Sequence, residues 1–415
     1  MPDSRKPASL AAIILFLLTA SPAFAGEPDL QEFTQIEHGR YLATASDCIS
    51  CHTIPGGKPF AGGRAIETPF GNIISANLTP DLETGIGAWS DAAFDAAVRK
   101  GIGRHGGFLY PAMPYTAYAK LSRDDVLAIR AYLASIEPVR NKVPPTSLPF
   151  PFNIRSGMRL WNALYFDGSE FKHDPSKSAE WNRGAYLVDG PAHCGACHTA
   201  KTFLGGDKTD QYLQGSYLQG WYAPNITNDR RLGLGNWTAE DIGTYLKTGH
   251  NRITAATGPM AEAVSLSTSH MSDEDTKAIA SYLKSLPGKT ESVAPLPKNS
   301  PTMVAGGAIY RDQCSACHGL DGRGVANLFP AIADASGARS SDPTTSIRIV
   351  LRGARSVATA REPTSPGMPS YSWQLDDTQV ADVLNYIRNS WGGAASPVEA
   401  KDVSHVRSDT AARGD

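Results

Sequence analysis

The sequence predicts a mostly α-helical protein built as three small domains in tandem. Three observations carry that reading. A five-residue frame, Cys-x-x-Cys-His, occurs at Cys48–His52, Cys194–His198 and Cys314–His318, and it uses all six cysteines of the 415-residue chain. The surroundings of the frames repeat: "HGRYLATASDCISCHT" from His38 resembles "RGAYLVDGPAHCGACHT" from Arg183, and "GGAIYRDQCSACHG" from Gly306 is a third copy. Each unit then closes on an apolar pattern of helical spacing behind a polar cap: "LSRDDVLAIRAYLASI", "MSDEDTKAIASYLKSL" and "LDDTQVADVLNYIRNSW". So long a period marks a tandem of whole domains rather than a solenoid.

The elements follow in chain order. Residues 1–25 combine Arg5 and Lys6, the apolar run "LAAIILFLLTA" and the small residues of "AFA" before Gly26, the pattern of a secretory signal peptide. The first domain is expected over 26–140. A proline-rich connection, "EPVRNKVPPTSLPFPFN", leads into a linker assigned to 141–182. The second domain is expected over 183–288 and contains "PNITNDRRLGLGNWT", a copy of "ANLTPDLETGIGAWS" in the first. A second linker, 289–301, lies within "PGKTESVAPLPKNSP", and the third domain occupies 302–393. Residues 394–415 are polar, show no helical apolar face and are expected to form a disordered tail.

Composition narrows the function. A formal charge of −2 gives no reason to expect nucleic acid or an anionic surface as partner. Six cysteines are too few for a disulfide scaffold in an exported chain of this length. Past the leader, every apolar run is too short to cross a bilayer as a helix, so no membrane-spanning helix is expected. The chain also shows no Ser/His/Asp set, no dinucleotide glycine fingerprint and no spare metal cluster, hence no substrate site of its own.

The frames carry the chemistry. On a helix, residues i and i+3 share a face and i+4 lies beside them. Two thiols so placed form thioethers with the vinyl groups of one haem, and the following histidine reaches its iron from the same side. A redox-active dithiol needs no histidine after its second cysteine. Zinc sites pair two such frames around one ion, and three frames leave one unpaired. The sequence therefore predicts three covalently bound haem c groups, on Cys48 and Cys51, Cys194 and Cys197, and Cys314 and Cys317, with His52, His198 and His318 as iron ligands.

A methionine opposite the histidine gives the ligation of electron-carrying cytochromes and raises the potential. Met113 follows His52 in "LYPAMPY", and Met368 follows His318 in "SPGMPSY"; both stand in a Met-Pro segment before the last helix of their unit. The second unit offers Met260 in "ATGPMAEAV" and Met271, which abuts the cap of the last helix. The separation of Met260 from His198 nearly equals that of Met113 from His52, whereas Met271 lies well beyond it, so the repeat favours Met260. Pro330, which follows His318 in "NLFPAIA", is either a turn proline or the carbonyl that orients that histidine. The free histidines, His193 among them, are read as ordinary surface or core residues.

On the frames together with "TPFGNIISANLTPDLETGIGAWS", "RKGIGRHGGFLYPAMPY", "MAEAV" and "VADVLNYIRNSW", the chain resembles the triheme cytochrome c subunits of bacterial membrane-bound dehydrogenases over about Gln35 to Gly392. The resemblance implies class I cytochrome c domains and a periplasmic location, peripheral on the outer face of the inner membrane. It implies electrons taken from a large quinoprotein or flavoprotein subunit oxidising alcohols, gluconate or sorbitol, and passed to ubiquinone or the respiratory chain. It implies Met113, Met260 and Met368 opposite His52, His198 and His318. A molybdenum-containing aldehyde or N-heterocycle dehydrogenase as partner, and a stand-alone carrier, are the alternatives. Some members of the family end in an amphipathic anchor; the polar tail here implies attachment through a partner instead.

Overall fold

A computed structural model describes residues 30–289, 293–326 and 328–413. The leader read at residues 1–25 lies outside the described residues. The described chain is mostly helical, with three two-stranded antiparallel hairpins as its only sheets.

Each unit begins with a helix that runs into the frame. Leu30–Ala45 precedes Cys48–His52, Ala179–Asp189 precedes Gly195–His198, and Pro301–Ile309 runs through a π turn into Ser315–His318. Each unit closes on the helix expected from its capped pattern: Arg123–Ser135, Asp273–Ser285 and Asp377–Asn389. Their caps form as read. Ser122, Ser272 and Asp376 accept a hydrogen bond from the backbone N–H three residues on, satisfying a donor the helix would otherwise leave open.

In every unit the first helix crosses the last at a glycine. A Cβ on Gly39 would lie 1.8 Å from the carbonyl oxygen of Ala128, on Gly184 1.9 Å from that of Ala278, and on Gly306 2.0 Å from that of Asp382. The backbones touch there, and no side chain fits between them. This crossing fixes where the frame helix leaves the first helix. A third helix, at Asp91–Lys100, Ala239–Thr248 or Thr344–Arg352, completes an apolar shell around the frame.

The first two units face each other through a pseudo-two-fold arrangement. Tyr41 of the first unit donates to Asp275 Oδ2 of the second at 2.5 Å, and Tyr186 of the second donates to Asp125 of the first. The four residues hold equivalent places in the repeat, as in an isologous interface. Each carboxylate is also met from its own unit, Asp125 by His38 Nε2 at 2.7 Å and Asp275 by Arg183 through two bonds of 2.7 Å. Burial alone would push both carboxyls up. The hydrogen bonds from Tyr186 and His38, and from Arg183 and Tyr41, overcome it and hold both below the usual carboxylate range. A depressed carboxylate stabilises the fold above its unfolded pKa of about 4, and that stabilisation disappears as pH falls through the folded value. The Asp125→Asn/Asp275→Asn double variant is therefore expected to melt below the wild type at neutral pH. The gap should close on acidification below about pH 4. Thermal melts followed across that range check this, and a constant gap would contradict it.

Two segments differ from the sequence reading. The linker 141–182 contains a turn at Arg155–Gly157 that runs into the helix Met158–Tyr165. The tail read as disordered forms the helix Ala400–Arg413 instead. Val403 and Val406 are buried with Val398 against Ile347, Leu351 and Leu384 of the third unit. Arg407 binds Asp377 at 2.7 Å and the carbonyls of Ser372 and Leu375 at 2.9 Å, and Arg413 reaches Glu67 of the first unit. A stripe of two valines and a threonine is too narrow to fold a helix alone, so the order comes from tertiary packing.

Candidate haem sites

All twelve residues selected from the sequence line one continuous cavity of about 2270 Å³. Its walls are mainly apolar and come from all three units. A pocket for one small ligand measures about 300–1,000 Å³, so this space suits several large ligands rather than one. None of the six cysteines pairs with another in a disulfide. Burial, with neighbouring acidic groups, pushes Cys48 and Cys194 up to about 12, and Cys197 and Cys314 rise to about 11. Each pair faces an apolar space with one histidine beside it, the setting for attachment of a macrocycle, and among the described residues no group of three or more His, Cys, Asp or Glu side chains is placed to hold a metal ion such as zinc.

The histidines are oriented alike. His52 Nδ1 lies 2.7 Å from the carbonyl oxygen of Ala76, His198 Nδ1 2.7 Å from that of Pro224, and His318 Nδ1 3.0 Å from that of Pro330. A carbonyl can only accept, so Nδ1 carries the proton in each ring and the Nε2 lone pair is left for a metal. Burial lowers the pKa of all three, which keeps them neutral. Pro330 is thus the carbonyl partner, one of its two sequence readings. Sequence reasoning misses Ala76 and Pro224. The signal lies in the repeat "ANLT"/"PNIT". Asn77 Oδ1 accepts from the N–H and hydroxyl of Thr79 at 2.9 and 2.7 Å, and Asn225 Oδ1 does the same for Thr227 at 2.8 and 2.8 Å. Each asparagine pins the turn that presents the preceding carbonyl to the histidine.

Met113 lies in a turn packed against the core of the first unit, and Met368 lies in the strand Gly367–Met368 packed against that of the third. Met260 lines the cavity from the first turn of the helix Gly258–Leu266, so the ligand candidate of the second unit stands on a helix rather than in a loop. Met271 is 1% exposed inside the core of the second unit and does not line the cavity. Between the first and second frames stand groups the sequence does not single out. Arg64 bonds the Ser50 carbonyl and pairs with Glu262 across the two units, and His193 packs edge-on to Tyr118 with ring centroids 5.6 Å apart.

Three frames of this geometry around one apolar cavity define a triheme c-type cytochrome, a carrier of single electrons. The cytochrome c family profile matches residues 36–137, 182–287 and 303–391. The chain is 40% identical to the gluconate 2-dehydrogenase cytochrome c subunit of Pantoea cypripedii, over 95% of both chains. It is 37% identical to the alcohol dehydrogenase (quinone) cytochrome c subunit of Gluconacetobacter polyoxogenes, over 94% of this chain and 88% of that one. This chain belongs to the family of dehydrogenase cytochrome c subunits. It is also 41% identical to a nicotinate dehydrogenase subunit of Pseudomonas putida, over 89% of this chain but 32% of that longer protein.

Proposed function

We propose that the chain takes electrons from a large quinoprotein or flavoprotein subunit oxidising an alcohol or sugar acid, and delivers them to ubiquinone or a downstream cytochrome. We place it in the periplasm, peripheral on the inner membrane. The observation that supports this most is the continuity of the cavity: one polypeptide holds all three frames around a common apolar space, as a relay requires. Among the described residues no helix is long and apolar enough to cross a membrane, in keeping with peripheral attachment.

Haem c supplies reversible one-electron chemistry at iron. The protein supplies position and environment. Cys48, Cys51, Cys194, Cys197, Cys314 and Cys317 fix each macrocycle to its frame helix. Carbonyls of Ala76, Pro224 and Pro330 hold Nδ1 of His52, His198 and His318, which leaves each Nε2 free to bind iron. Met113, Met260 and Met368 would supply the second ligand of each iron and the apolar walls would keep water away, and both settings would tune the potentials. The likeness to the nicotinate dehydrogenase subunit favours a second reading, with a molybdenum-containing N-heterocycle or aldehyde dehydrogenase as donor.

The test is native isolation from gently solubilised membranes, followed by reduction of the haems with candidate substrates. Gluconate, alcohols or polyols reducing the haems, with a large quinoprotein or flavoprotein co-purifying, is the expected result. Reduction by an aldehyde or N-heterocycle with a molybdenum protein would favour the second reading. A chain that emerges alone and is reduced by none of these would overturn both.

A further inference from the structure

The connection between the first two units carries an exposed apolar face that runs from Phe150, outside the haem cavity, to side chains at the cavity rim. Phe150 is 78% exposed, Leu160 67% and Leu164 59%, and on the adjoining loop of the second unit Phe203 is 91% exposed. The two segments form one surface, since Trp161 Nε1 donates to the Leu204 carbonyl at 2.9 Å. Leu160 and Leu164 stand four apart on the helix Met158–Tyr165 and share its outward face, while Asn162 turns inward to accept from the Tyr115 hydroxyl at 2.7 Å. Burying such tips on this chain's own body is the ordinary outcome, and an exposed cluster of them marks an interaction surface.

Charge says what covers it. The whole chain has a formal charge of −2, yet from Pro138 to Phe166 there are four basic residues and no acidic one. Arg140 pairs with Glu83, while Lys142, Arg155 and Arg159 have no carboxylate partner among the ion pairs described. A short helix with leucines outward, an arginine beside them and a tryptophan at its base has the make-up of a segment lying in the plane of a membrane surface. The C-terminal helix, where an anchor would stand, is occupied by packing on the third unit.

We infer that the Phe150–Leu164 segment and the Phe203–Leu204 loop form a membrane-docking face for anionic bilayers. This deepens the membrane-side placement proposed above and names its surface. Because Leu160, Leu164 and Phe203 also rim the cavity, docking turns the cavity mouth toward the acyl region.

Flotation of the purified three-haem chain with vesicles tests this. The chain is expected to float with phosphatidylglycerol–phosphatidylethanolamine vesicles and less with phosphatidylcholine alone. Phe150→Ser/Leu164→Ser/Phe203→Ser should weaken the partition at least ~tenfold, from the apolar area removed. Arg159→Glu should weaken it about fivefold on anionic vesicles and leave phosphatidylcholine binding unchanged. Haem absorbance of each variant reports folding. Should the triple variant lose haem, Arg159→Glu carries the test, because Arg159 does not line the cavity. Wild type that fails to float, or variants that float like wild type, would overturn the inference. So would a triple variant that still floats but no longer co-purifies with a dehydrogenase subunit, which would assign the face to a protein partner. Substrate reduction of the haems is read separately, so loss of vesicle binding leaves the electron-transfer reading intact.

Discussion

Gly184→Val is expected to remove the second unit's folded, haem-bearing state. The helices Ala179–Asp189 and Asp273–Ser285 meet with backbone against backbone, and a Cβ on Gly184 would sit 1.9 Å from the Ala278 oxygen and 2.9 Å from Tyr282 Cβ. Neither neighbour is the end of a flexible side chain, so the helices must part. Overpacking of a core costs about 1–3 kcal/mol, and a clash with main chain belongs at or beyond the upper end. Domains of this size hold only about 5–15 kcal/mol in total. Separation of the helices also displaces the frame helix and Leu187, which is fully buried beside it. Gly243 is the contrast: it lies inside the helix Ala239–Thr248, and a Cβ added there would meet nothing within 4 Å. Gly243→Ala should stabilise by about 0.5–1 kcal/mol. Melting followed at the haem absorbance separates the two. Equal melting temperatures for wild type and Gly184→Val would contradict the crossing described here.

Met260→Leu is expected to lower the potential of one haem of three and to open that iron to carbon monoxide. Met271→Leu should do neither. The reasoning rests on where the two side chains stand. Met260 lines the cavity, whereas Met271 packs with Ile279, Leu283 and Trp237 in the core of the second unit. Leucine replaces methionine at nearly constant volume, so Met271→Leu should cost less than about 1.5 kcal/mol and leave the spectrum unchanged. At Met260 the same exchange removes a sulfur that would raise the potential as an axial ligand. Redox titration with carbon monoxide difference spectra decides it, and the reverse pattern would assign Met271 instead.

Sequence is legible where chemistry and spacing coincide. The frames require cysteine and histidine at fixed helical offsets, and the capped terminal helices require Ser or Asp before an apolar stripe; both are visible in the chain. The repeat, used as a template, selects Met260 over Met271; Met260 lines the cavity and Met271 does not, and the exchange to leucine at each position tests the choice. What escapes depends on contacts between distant segments. Ala76 and Pro224 act through their carbonyls, which every residue possesses, so only Asn77 and Asn225 in matching turns point to them. His193 has no repeat partner to mark it. The helix Ala400–Arg413 has only Val403, Val406 and Thr410 on its inward side, and becomes ordered through the third unit's surface. The helix Met158–Tyr165 is hidden by the prolines before it, and net charge conceals a local run of basic residues.

The exchange of tyrosines between the first two units has a consequence for assembly. Tyr41 and Tyr186 each complete the partner unit's carboxylate site, so neither unit satisfies its own. The third unit is tied differently. Thr345 exchanges two hydrogen bonds with the Tyr222 backbone, at 2.8 and 3.0 Å, and Arg361 pairs with Asp273 at 2.7 Å. Arg413, reaching back to Glu67, closes the chain's third unit onto its first. These contacts keep the three frames around one cavity, which is what the relay needs.

The measurement that tests the account most directly is the mass of the intact, denatured chain purified from cells able to attach haem. Thioether-linked groups survive denaturation, so the expected result is a polypeptide beginning at Gly26 that carries the added mass of three haems. A chain bearing two or fewer, with its remaining cysteines reactive toward alkylating reagents, would contradict the claim that every frame holds its own haem.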